Sequence, residues 1–340
     1  MKNMKIAEDV FLEMVFIIVD VAVLIYGVLE RRNREYNNVS TIKERINVHM
    51  WVKLRSYYGE QKLNNTYIKS PLNYVGGKYK LLPIIIPMFP DKINTFVDLF
   101  GGGFNVGINV KADRIIYNDI CEQVVSFLRY LQGSNIEEVL HKIDSYIKKY
   151  GLTKENKEGY LLFREEYNTG IKDPIKFYTL LCYAFNNQIR FNSKGEYNMP
   201  FGKDRSSFNP TLRQKFIDFH KRLNEIDCSF LNIPFERFDF SDFAEGDFVY
   251  ADPPYFNSVA TYNENGGWTE EMENKLLETL DTLNDKGVKF ALSNNLKYDN
   301  PLLDKWKDKY IVHYLKHDYS NCNYQKKDKS ADCEVLITNY

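Results

Sequence analysis

Apolar residues beyond position 94 follow two alternating spacings, one typical of strands and the other typical of helices. Short apolar runs predict strands at residues 95–100, 114–117, 230–232, 248–251 and 289–293, with a further run at 238–240 and a terminal pair at 310–315 and 334–339. Helical spacing follows the glycines at 101–103 (Val106, Val110), and it follows Asn135 and Thr269, which can cap helix N-termini. Gly151 and Gly287 are placed to end the last two helices.

The order of these elements predicts the fold class. Strands that alternate with helices are typical of a parallel sheet, and the last two runs predict an antiparallel hairpin at its edge. We therefore expect a Rossmann-like α/β fold with a mostly parallel sheet of seven strands. Residues 135–225 interrupt the pattern and predict a helical insertion. The chain is accordingly divided into an extension (1–66), a sheet domain (67–134 and 226–340) and this insertion.

Composition narrows the functional classes. The chain of 340 residues has a net charge of −1, so affinity for a polyanion requires a local basic surface. Its five cysteines are scattered and form no C-x-x-C pair, which argues against a disulfide framework or a structural zinc site and fits a reducing cytoplasm. His313 and His317 lack an H-E-x-x-H context, and we interpret them as surface histidines.

The N-terminal extension contains an apolar stretch at residues 10–29, long enough to span a membrane. Asp9, Glu13 and Asp20 lie on one side of such a helix, and each acid at the centre of a bilayer would cost roughly 2.5–3.5 kcal/mol. We favour a packed or partner-binding helix over a membrane span, with a later start at Met50 as a third interpretation. No cleavage site for a secretory signal follows.

The most informative segment is the turn at residues 252–255, with the sequence DPPY, which follows the predicted strand 248–251. Proline cannot donate to a strand ladder, so the strand should end here, at the edge of the sheet where ligands bind in α/β folds. Asp252 and the carbonyl of Pro253 can accept both hydrogens of an exocyclic amine, and Tyr255 offers a ring for stacking. An ordinary surface loop is the alternative for these four residues alone.

Two glycine segments precede this turn. Residues 74–78 (YVGGK) lack the spacing of a phosphate-binding loop, and residues 98–103 (DLFGGG) differ from G-x-G-x-x-G because Val106 occupies the position of the third glycine. Asp119 follows the second predicted strand, where a carboxylate can accept both hydroxyl hydrogens of a ribose. These features favour a ribose-containing ligand and argue against a nucleoside triphosphate or a dinucleotide.

Within the insertion, aromatic residues are mixed with amide residues (Asn, Gln) and basic residues (Lys, Arg) between residues 183 and 205. Asn, Gln and Arg pair with base edges, whereas Lys and Arg neutralise phosphates, so this segment is a candidate DNA reader. A polar surface loop is the alternative. The candidate DNA-binding residues are Asn187, Arg190, Asn192, Asn198, Lys203 and Arg205.

Together, these motifs make residues 67–340 resemble the Dam-type DNA adenine-N6 methyltransferases, also called the alpha class or D12 family. The resemblance rests on residues 74–78, 98–103, Asp119, residues 186–202 and the DPPY turn, which occur in the family's order. It implies a catalytic domain dependent on S-adenosylmethionine, a target-recognition domain in the insertion and double-stranded DNA as substrate. The side chains at 186–190 depart from the family pattern, and we assign no target sequence to them.

The resemblance also implies site residues. The catalytic residues would be Asp252, Pro253 and Tyr255. The cofactor-binding residues would be Tyr74, Gly76, Gly77, Lys78, Asp98, Phe100, Gly101, Gly103, Asp119, Asp239, Phe240 and Asp252. The adenine would flip out of the duplex, and the reaction requires no metal. A cognate restriction endonuclease is an expected partner.

Three alternatives stay open at this point. Cytosine-N4 methylation uses the same chemistry, although that family more often has Ser at the position of Asp252. A nicotinamide-dependent oxidoreductase could share the first βα unit, but Val106 and the DPPY turn weigh against it. The third alternative is a DNA-binding protein that retains a catalytically silent methyltransferase domain.

Overall fold

The computed structural model describes residues 67–257, 267–315 and 333–340. Residues 67–340 form one compact unit. The predicted apolar helix at 10–29, His317 and Cys322 lie outside the described residues. The division of the compact unit into catalytic and target-recognition domains stays a prediction.

The described residues form one sheet of seven strands in the order β3-β2-β1-β4-β5-β7-β6. The strands are β1 (Thr95–Asp98), β2 (Arg114–Asn118), β3 (Cys228–Leu231), β4 (Phe248–Ala251), β5 (Lys289–Asn295), β6 (Ile311–Leu315) and β7 (Glu334–Thr338). Pairing is parallel from β3 to β5, and β7 pairs antiparallel with both β5 and β6. The fold class and the terminal antiparallel pair are therefore confirmed.

The described helices surround this sheet. They are α1 (Leu82–Ile85), α2 (Glu122–Leu131), α3 (Ile136–Tyr150), α4 (Lys157–Thr169), α5 (Pro174–Tyr183), α6 (Pro210–Leu223), α7 (Glu270–Asp285) and α8 (Pro301–Trp306). Short 3₁₀ turns lie at Lys78–Leu81, Ile86–Met88, Gly107–Asn109, Phe185–Asn187, Phe235–Arg237 and Lys307–Lys309. Helices α3 to α6 lie between β2 and β3, which confirms that the insertion is helical.

Two of these helices begin and end where the sequence predicts. The side chain of Asn135 accepts hydrogen bonds from the amides of Glu137 and Glu138, and Gly151 ends α3 in a left-handed conformation with φ 57°. Thr269 accepts from the amide of Met272 at the start of α7. Gly287, with φ 76°, follows the end of this helix.

The alternation of residues along the strands divides the core between the two faces of the sheet. Phe96 and Tyr250 belong to a cluster that includes Leu128 of α2 and residues of the helical insertion. Val97 and Val249 belong to a second cluster, which includes Leu276 and Leu280 of α7. Because both faces are covered by helices, the strand ends are the parts of the sheet left for a ligand.

The prediction of a helix after the glycines at 101–103 is wrong. Only the 3₁₀ turn Gly107–Asn109 forms there, and Val110 is already extended. Side chains compete for the backbone groups that a helix would need: Asp98 accepts from the amide of Gly107, and Asn109 donates to the carbonyl of Asn105. The apolar run at 238–240 is likewise a loop, in which Phe238 and Phe240 pack with ring centroids 4.5 Å apart.

No helix among the described residues is long and apolar enough to cross a membrane.

The cap of α3 gives a test of the fold. Asn135→Ala should lower the free energy of unfolding by about 1 kcal/mol, because two helical amides lose their acceptor. Urea unfolding measures this change, and Asn135→Asp, which keeps an oxygen acceptor, is the matched control. Equal stability of the alanine variant and the parent chain would contradict the assignment of the cap.

Candidate active site

The DPPY turn leaves the sheet at its topological switch point. From β1 the chain continues to β2 and β3 on one side, whereas β4 lies on the other side of β1. Asp98, the last residue of β1, pairs with Tyr250, and Asp252 follows the end of β4. The carboxylates of Asp98 and Asp252 therefore flank the crevice in which open α/β sheets bind ligands.

Lys78 is the centre of a polar cluster at this edge. Its Nζ lies 2.7 Å from Asp252 Oδ1 and 3.3 Å from Glu334 Oε1. It also donates to the Tyr255 hydroxyl at 3.0 Å and to the carbonyl of Gly76 at 3.1 Å. Only 4% of the Lys78 side chain is exposed, whereas Asp252 retains 18%. The ammonium is thus enclosed by acceptors, and part of the Asp252 side chain still faces outward.

The charges within this cluster depend on one another. Burial alone would lower the pKa of Lys78, but Asp252, Tyr255 and Glu334 together raise it well above its usual value. Burial raises the pKa of Asp252 to about 6, with Lys78 opposing that rise and Glu334 adding to it. At neutral pH the Lys78 side chain is therefore an ammonium and Asp252 is mostly ionised, which makes Asp252 a hydrogen-bond acceptor.

The glycines at 101–103 bring the backbone close to the neighbouring strand and to the residue-74 loop. A Cβ on Gly101 would lie 2.2 Å from the ring of Tyr117, and one on Gly103 would lie 3.3 Å from Tyr74. The Tyr117 hydroxyl donates to the carbonyl of Gly102, which has φ +48°. Only glycine fits at Gly101 without moving this ring, since the ring is fixed at its far end.

Asp119 lies at the carboxyl end of β2 and orders the same segment. Its two oxygens accept from the amides of Gly102 and Cys121, both at 2.8 Å. Burial raises the pKa of Asp119 above its usual value. A carboxylate has about four lone-pair sites, so two further hydrogen bonds remain open to it. Ile120, the next residue, is 69% exposed and presents an apolar surface beside this carboxylate.

Asp98 is deeply buried, with 1% of its surface exposed. One oxygen accepts from the amide of Gly107 at 2.9 Å. Burial raises the pKa of Asp98 to about 7, and the negative charges of Asp252 and Asp119 add to that rise. Through its hydrogen bond with Gly107, Asp98 holds the loop that follows the glycines in place.

Three further predicted residues lie outside these contacts. Phe100 is half-buried, and its ring centroid is 5.3 Å from that of Phe235 and 5.5 Å from that of Trp268. Asp239 is exposed and accepts from the amide of Ser241, and Phe240 packs in the same loop. Asp239 and Phe240, which the family resemblance implied, therefore lie in a loop, and their role in cofactor binding stays a prediction.

The candidate DNA-binding residues divide into two groups. Asn187 donates to the carbonyls of Leu181 and Cys182, and Arg190 donates to both the side chain and the carbonyl of Asn198, so these three residues hold their own loop together. Asn192 bonds to Glu196 within a tight turn. Lys203 and Arg205 are exposed. Of the six candidates, these two basic residues are best placed to contact a DNA phosphate.

Sequence reasoning missed two residues that join the site. Asn73 donates to the carbonyl of Asn186 at 2.6 Å, which ties the candidate DNA-reading segment to the residue-74 loop. Glu334 contacts Lys78 and Tyr255 from β7. The available signal for Glu334 was an acid at the start of a strand whose remaining residues, 335–338, are almost all apolar.

Among the described residues, no group of three or more His, Cys, Asp or Glu side chains could hold a metal ion.

Comparison with known proteins places these features in a family. A family model described as D12 class N6 adenine-specific DNA methyltransferase matches residues 74–321, well over half of the chain. The chain belongs to this family. Its match to the D12 class begins at Tyr74, in the loop that carries Lys78, and includes the glycine segment and the DPPY turn.

Individual relatives agree with this D12-class assignment. The chain is 51% identical over 283 residues to the type II methyltransferase M.FokI of Planomicrobium okeanokoites, covering 81% of this chain and 43% of that protein. It is 40% identical over 329 residues to the modification methylase StsI of Streptococcus sanguinis, covering 91% and 50%. It is 27% identical to the DNA adenine methylase of Escherichia coli K12, covering 75% and 88%. The chain spans about half the length of the first two relatives.

The close contact at Gly101 gives a test of the D12-class glycine segment. In Gly101→Ala the new Cβ would meet the fixed ring of Tyr117 at 2.2 Å, so the segment must shift. We expect the affinity for S-adenosylmethionine, measured by calorimetry, to fall at least ~10-fold, equivalent to about 1.4 kcal/mol. Gly133→Ala is the control: no heavy atom lies within 4 Å of its Cβ, but its φ of +75° strains an alanine, so this variant measures the effect of backbone strain away from the site. Unchanged affinity in Gly101→Ala would contradict the role of this segment.

Proposed function

We propose that the chain transfers a methyl group from S-adenosylmethionine to N6 of an adenine flipped out of double-stranded DNA. The observation that carries this proposal is the carboxylate of Asp252, which is held 2.7 Å from a buried ammonium at the switch point of the sheet and remains 18% exposed. Such a carboxylate is fixed in position and still able to accept a hydrogen bond from a substrate. Membership of the D12 class supports the choice of adenine.

The chemistry follows from the nature of an aromatic amine. The lone pair of the adenine amino nitrogen is delocalised into the ring, so the nitrogen is a poor nucleophile. In our proposal, Asp252 and the carbonyl of Pro253 accept its two hydrogens and localise the lone pair. S-adenosylmethionine would supply an electrophilic methyl group: its bond to the sulfonium sulfur breaks as the bond to N6 forms, S-adenosylhomocysteine leaves, and the methylated nitrogen then loses a proton to solvent. Positive charge develops on the nitrogen during transfer, and the ionised Asp252 stabilises that charge because it is already in place.

The residues at the edge of the sheet fit this cofactor. Asp119 has lone pairs left for two ribose hydroxyls after its bonds to Gly102 and Cys121. Ile120 is exposed beside it and can cover the face of an adenine ring. At Gly101 a Cβ would meet the ring of Tyr117, so glycine lets the backbone follow its path close to the carboxyl end of β2, where Asp119 lies. These features support S-adenosylmethionine as the cofactor.

The DNA duplex must open for this reaction, since N6 is paired inside it. Tyr255 supports capture of the flipped base: its hydroxyl is fixed by Lys78 and Glu334, and its ring centroid lies 6.2 Å from that of Tyr298. Lys203 and Arg205, which are exposed, are proposed to contact phosphates. Four candidates remain: Asn187, Arg190, Asn192 and Asn198. Their side chains already make hydrogen bonds within the insertion, so we propose that they contact DNA bases only through donor or acceptor atoms that these bonds do not use.

The biological setting is also a proposal. Two relatives are named as a type II methyltransferase and a modification methylase, which supports a restriction-modification context with a cognate endonuclease as partner. The four cysteines of the described residues, Cys121, Cys182, Cys228 and Cys333, are free, which supports a cytoplasmic location. The chain spans about half the length of these two relatives. The proposed reaction is therefore argued from the residues of this chain, and nothing is carried over from the other half of those proteins.

Incubation with methyl-labelled S-adenosylmethionine and unmethylated genomic DNA tests the function. Nucleoside analysis should find the label in N6-methyladenine, and sequencing should place it within a short recurring sequence. Label in N4-methylcytosine would keep the mechanism and overturn the substrate. Measurable cofactor binding without label in either nucleoside would contradict a methyltransferase role on DNA.

Removal of the catalytic carboxylate gives the first mutational test. Asp252→Ala should lower kcat by at least ~10², because the acceptor for the amine and the charge opposite the developing cation are both lost. Glu334 still pairs with Lys78 in this variant, so the fold should persist, and thermal unfolding checks that it does. Asp252→Asn isolates the loss of charge. Near-normal turnover in both variants would refute the mechanism.

Tyr255 gives a second test, which concerns base capture. Tyr255→Ala should reduce the fluorescence increase of 2-aminopurine placed at the target position, because the stacking surface offsets part of the few kcal/mol needed to unstack the base. Tyr255→Phe keeps the ring and removes only the hydroxyl, so it should retain most of the signal. Equal fluorescence in the parent chain and Tyr255→Ala would exclude the stacking role.

A further inference from the structure

Glu334 reaches the site from the far end of the chain. It is the first residue of β7, where it pairs with Asn295 of β5 and with Leu315 of β6. Only 5% of its side chain is exposed. A buried carboxylate is costly unless it is paired and hydrogen-bonded, so its contacts indicate what it is for.

One oxygen of Glu334 makes the contacts that connect it to the DPPY turn. Glu334 Oε1 accepts from the Tyr255 hydroxyl at 2.6 Å and lies 3.3 Å from Lys78 Nζ. Oε2 accepts a weak hydrogen bond from the side-chain amide of Asn295, at 3.4 Å. The Tyr255 hydroxyl in turn accepts from Lys78, which contacts Asp252. Glu334 therefore fixes both groups that flank the catalytic carboxylate.

The charge of the cluster gives a second argument. Lys78 and Asp252 alone would form a neutral pair, and the pair would be satisfied without a third ion. With Glu334 two carboxylates share one ammonium, which adds a like-charge repulsion between them. Because the Lys78 ammonium also contacts Glu334 and Tyr255, fewer of its hydrogens are directed at Asp252, so Asp252 keeps more of its hydrogen-bonding capacity for a substrate.

We propose that Glu334 is a positioning residue for methyl transfer, which holds Lys78 and Tyr255 against Asp252 and divides the charge of Lys78 between two carboxylates. The inference rests on the proposed function, because Asp252 is the acceptor for the amine only in that reaction. It adds a residue from the last strand to a site otherwise built from the DPPY turn and the segments around Lys78 and Asp119.

The proton affinity of Asp252 gives a readout that a purely structural role would not change. The groups that face Asp252 are Lys78, Glu334, Tyr255, Tyr250 and Asp98, which come from five different segments of the chain. Burial is the largest cause of the raised pKa of Asp252, Lys78 opposes the rise, and Glu334 adds to it. Loss of the Glu334 charge should therefore move the titration of Asp252 to lower pH, and activity should persist to lower pH.

The test compares Glu334→Gln with the parent chain. Glutamine keeps the size and an oxygen that accepts from Tyr255 but removes the charge. We expect kcat at pH 8 to fall about 10- to 100-fold, with KM for DNA and cofactor changing less, because the reacting groups are misplaced rather than lost. The acid limb of the pH–kcat profile should move down by about half a unit or more.

Glu166→Gln is the matched control. Glu166 also accepts from a tyrosine hydroxyl, that of Tyr150, and pairs with a lysine, Lys176 at 2.8 Å, but on α4 within the helical insertion. Loss of this carboxylate should leave kcat and its pH profile unchanged. Glu334→Asp keeps the charge and shortens the side chain, so its kcat should fall while the acid limb stays near that of the parent chain.

Two further measurements separate the outcomes. In a double-mutant cycle, Tyr255→Phe should reduce the effect of Glu334→Gln on kcat, because the hydrogen bond from Tyr255, which is weaker to glutamine than to a carboxylate, is already absent in Tyr255→Phe. The carboxyl ¹³C signal of Asp252, assigned by its loss in Asp252→Asn, should titrate at lower pH in Glu334→Gln, whether or not methylation is detected. An unchanged Asp252 titration, or a parallel loss of rate at every pH, would overturn the inference while leaving the parent chain's methylation of DNA intact.

Discussion

Burying the ammonium of Lys78 at the end of the sheet requires carboxylates beside it, because an unpaired buried charge costs several kcal/mol. Asp252, which follows the end of β4, and Glu334, the first residue of β7, meet that requirement from two different parts of the sheet. The loop that carries Lys78, the DPPY turn and the last strand are consequently held in one register. A change that separated them would leave a buried charge without a partner.

The glycine segment imposes the second constraint on the same edge. Tyr117 bonds to the carbonyl of Gly102 and packs against Phe104 in an edge-to-face arrangement with centroids 5.1 Å apart. Asp119 holds the amide of Gly102 from the end of β2. The backbone at 101–103 is thus held by hydrogen bonds with Tyr117 and Asp119 at the carboxyl end of β2.

Local features of the chain were predictable because they depend on neighbouring residues alone. The caps at Asn135 and Thr269 and the end of β4 before Pro253 follow from side-chain and proline chemistry within a few positions. The predicted helix after Gly103 failed because Asp98 and Asn109 bind the backbone there, and the periodicity of Val106 and Val110 carries no sign of those bonds.

Contacts between distant segments were beyond such reasoning. Arg190 and Asn198 have the composition of a DNA reader, yet they bond to each other across a turn. Glu334 has the pattern of an ordinary strand residue, and its contact with Lys78 exists only because β7 lies beside β5 in the folded sheet. Residue type indicates what a side chain can bind, and the three-dimensional partner decides what remains available.

In our proposal, Asp252 and the carbonyl of Pro253 hold an exocyclic amine. A crystal structure of the full chain with S-adenosylhomocysteine and a duplex that carries the unmethylated target sequence would test these two contacts. We expect an adenine outside the helix, with its N6 within about 3.2 Å of the Asp252 carboxylate and of the Pro253 carbonyl, beside the ring of Tyr255. An adenine that stays stacked in the duplex, or an N6 held by other groups, would contradict it.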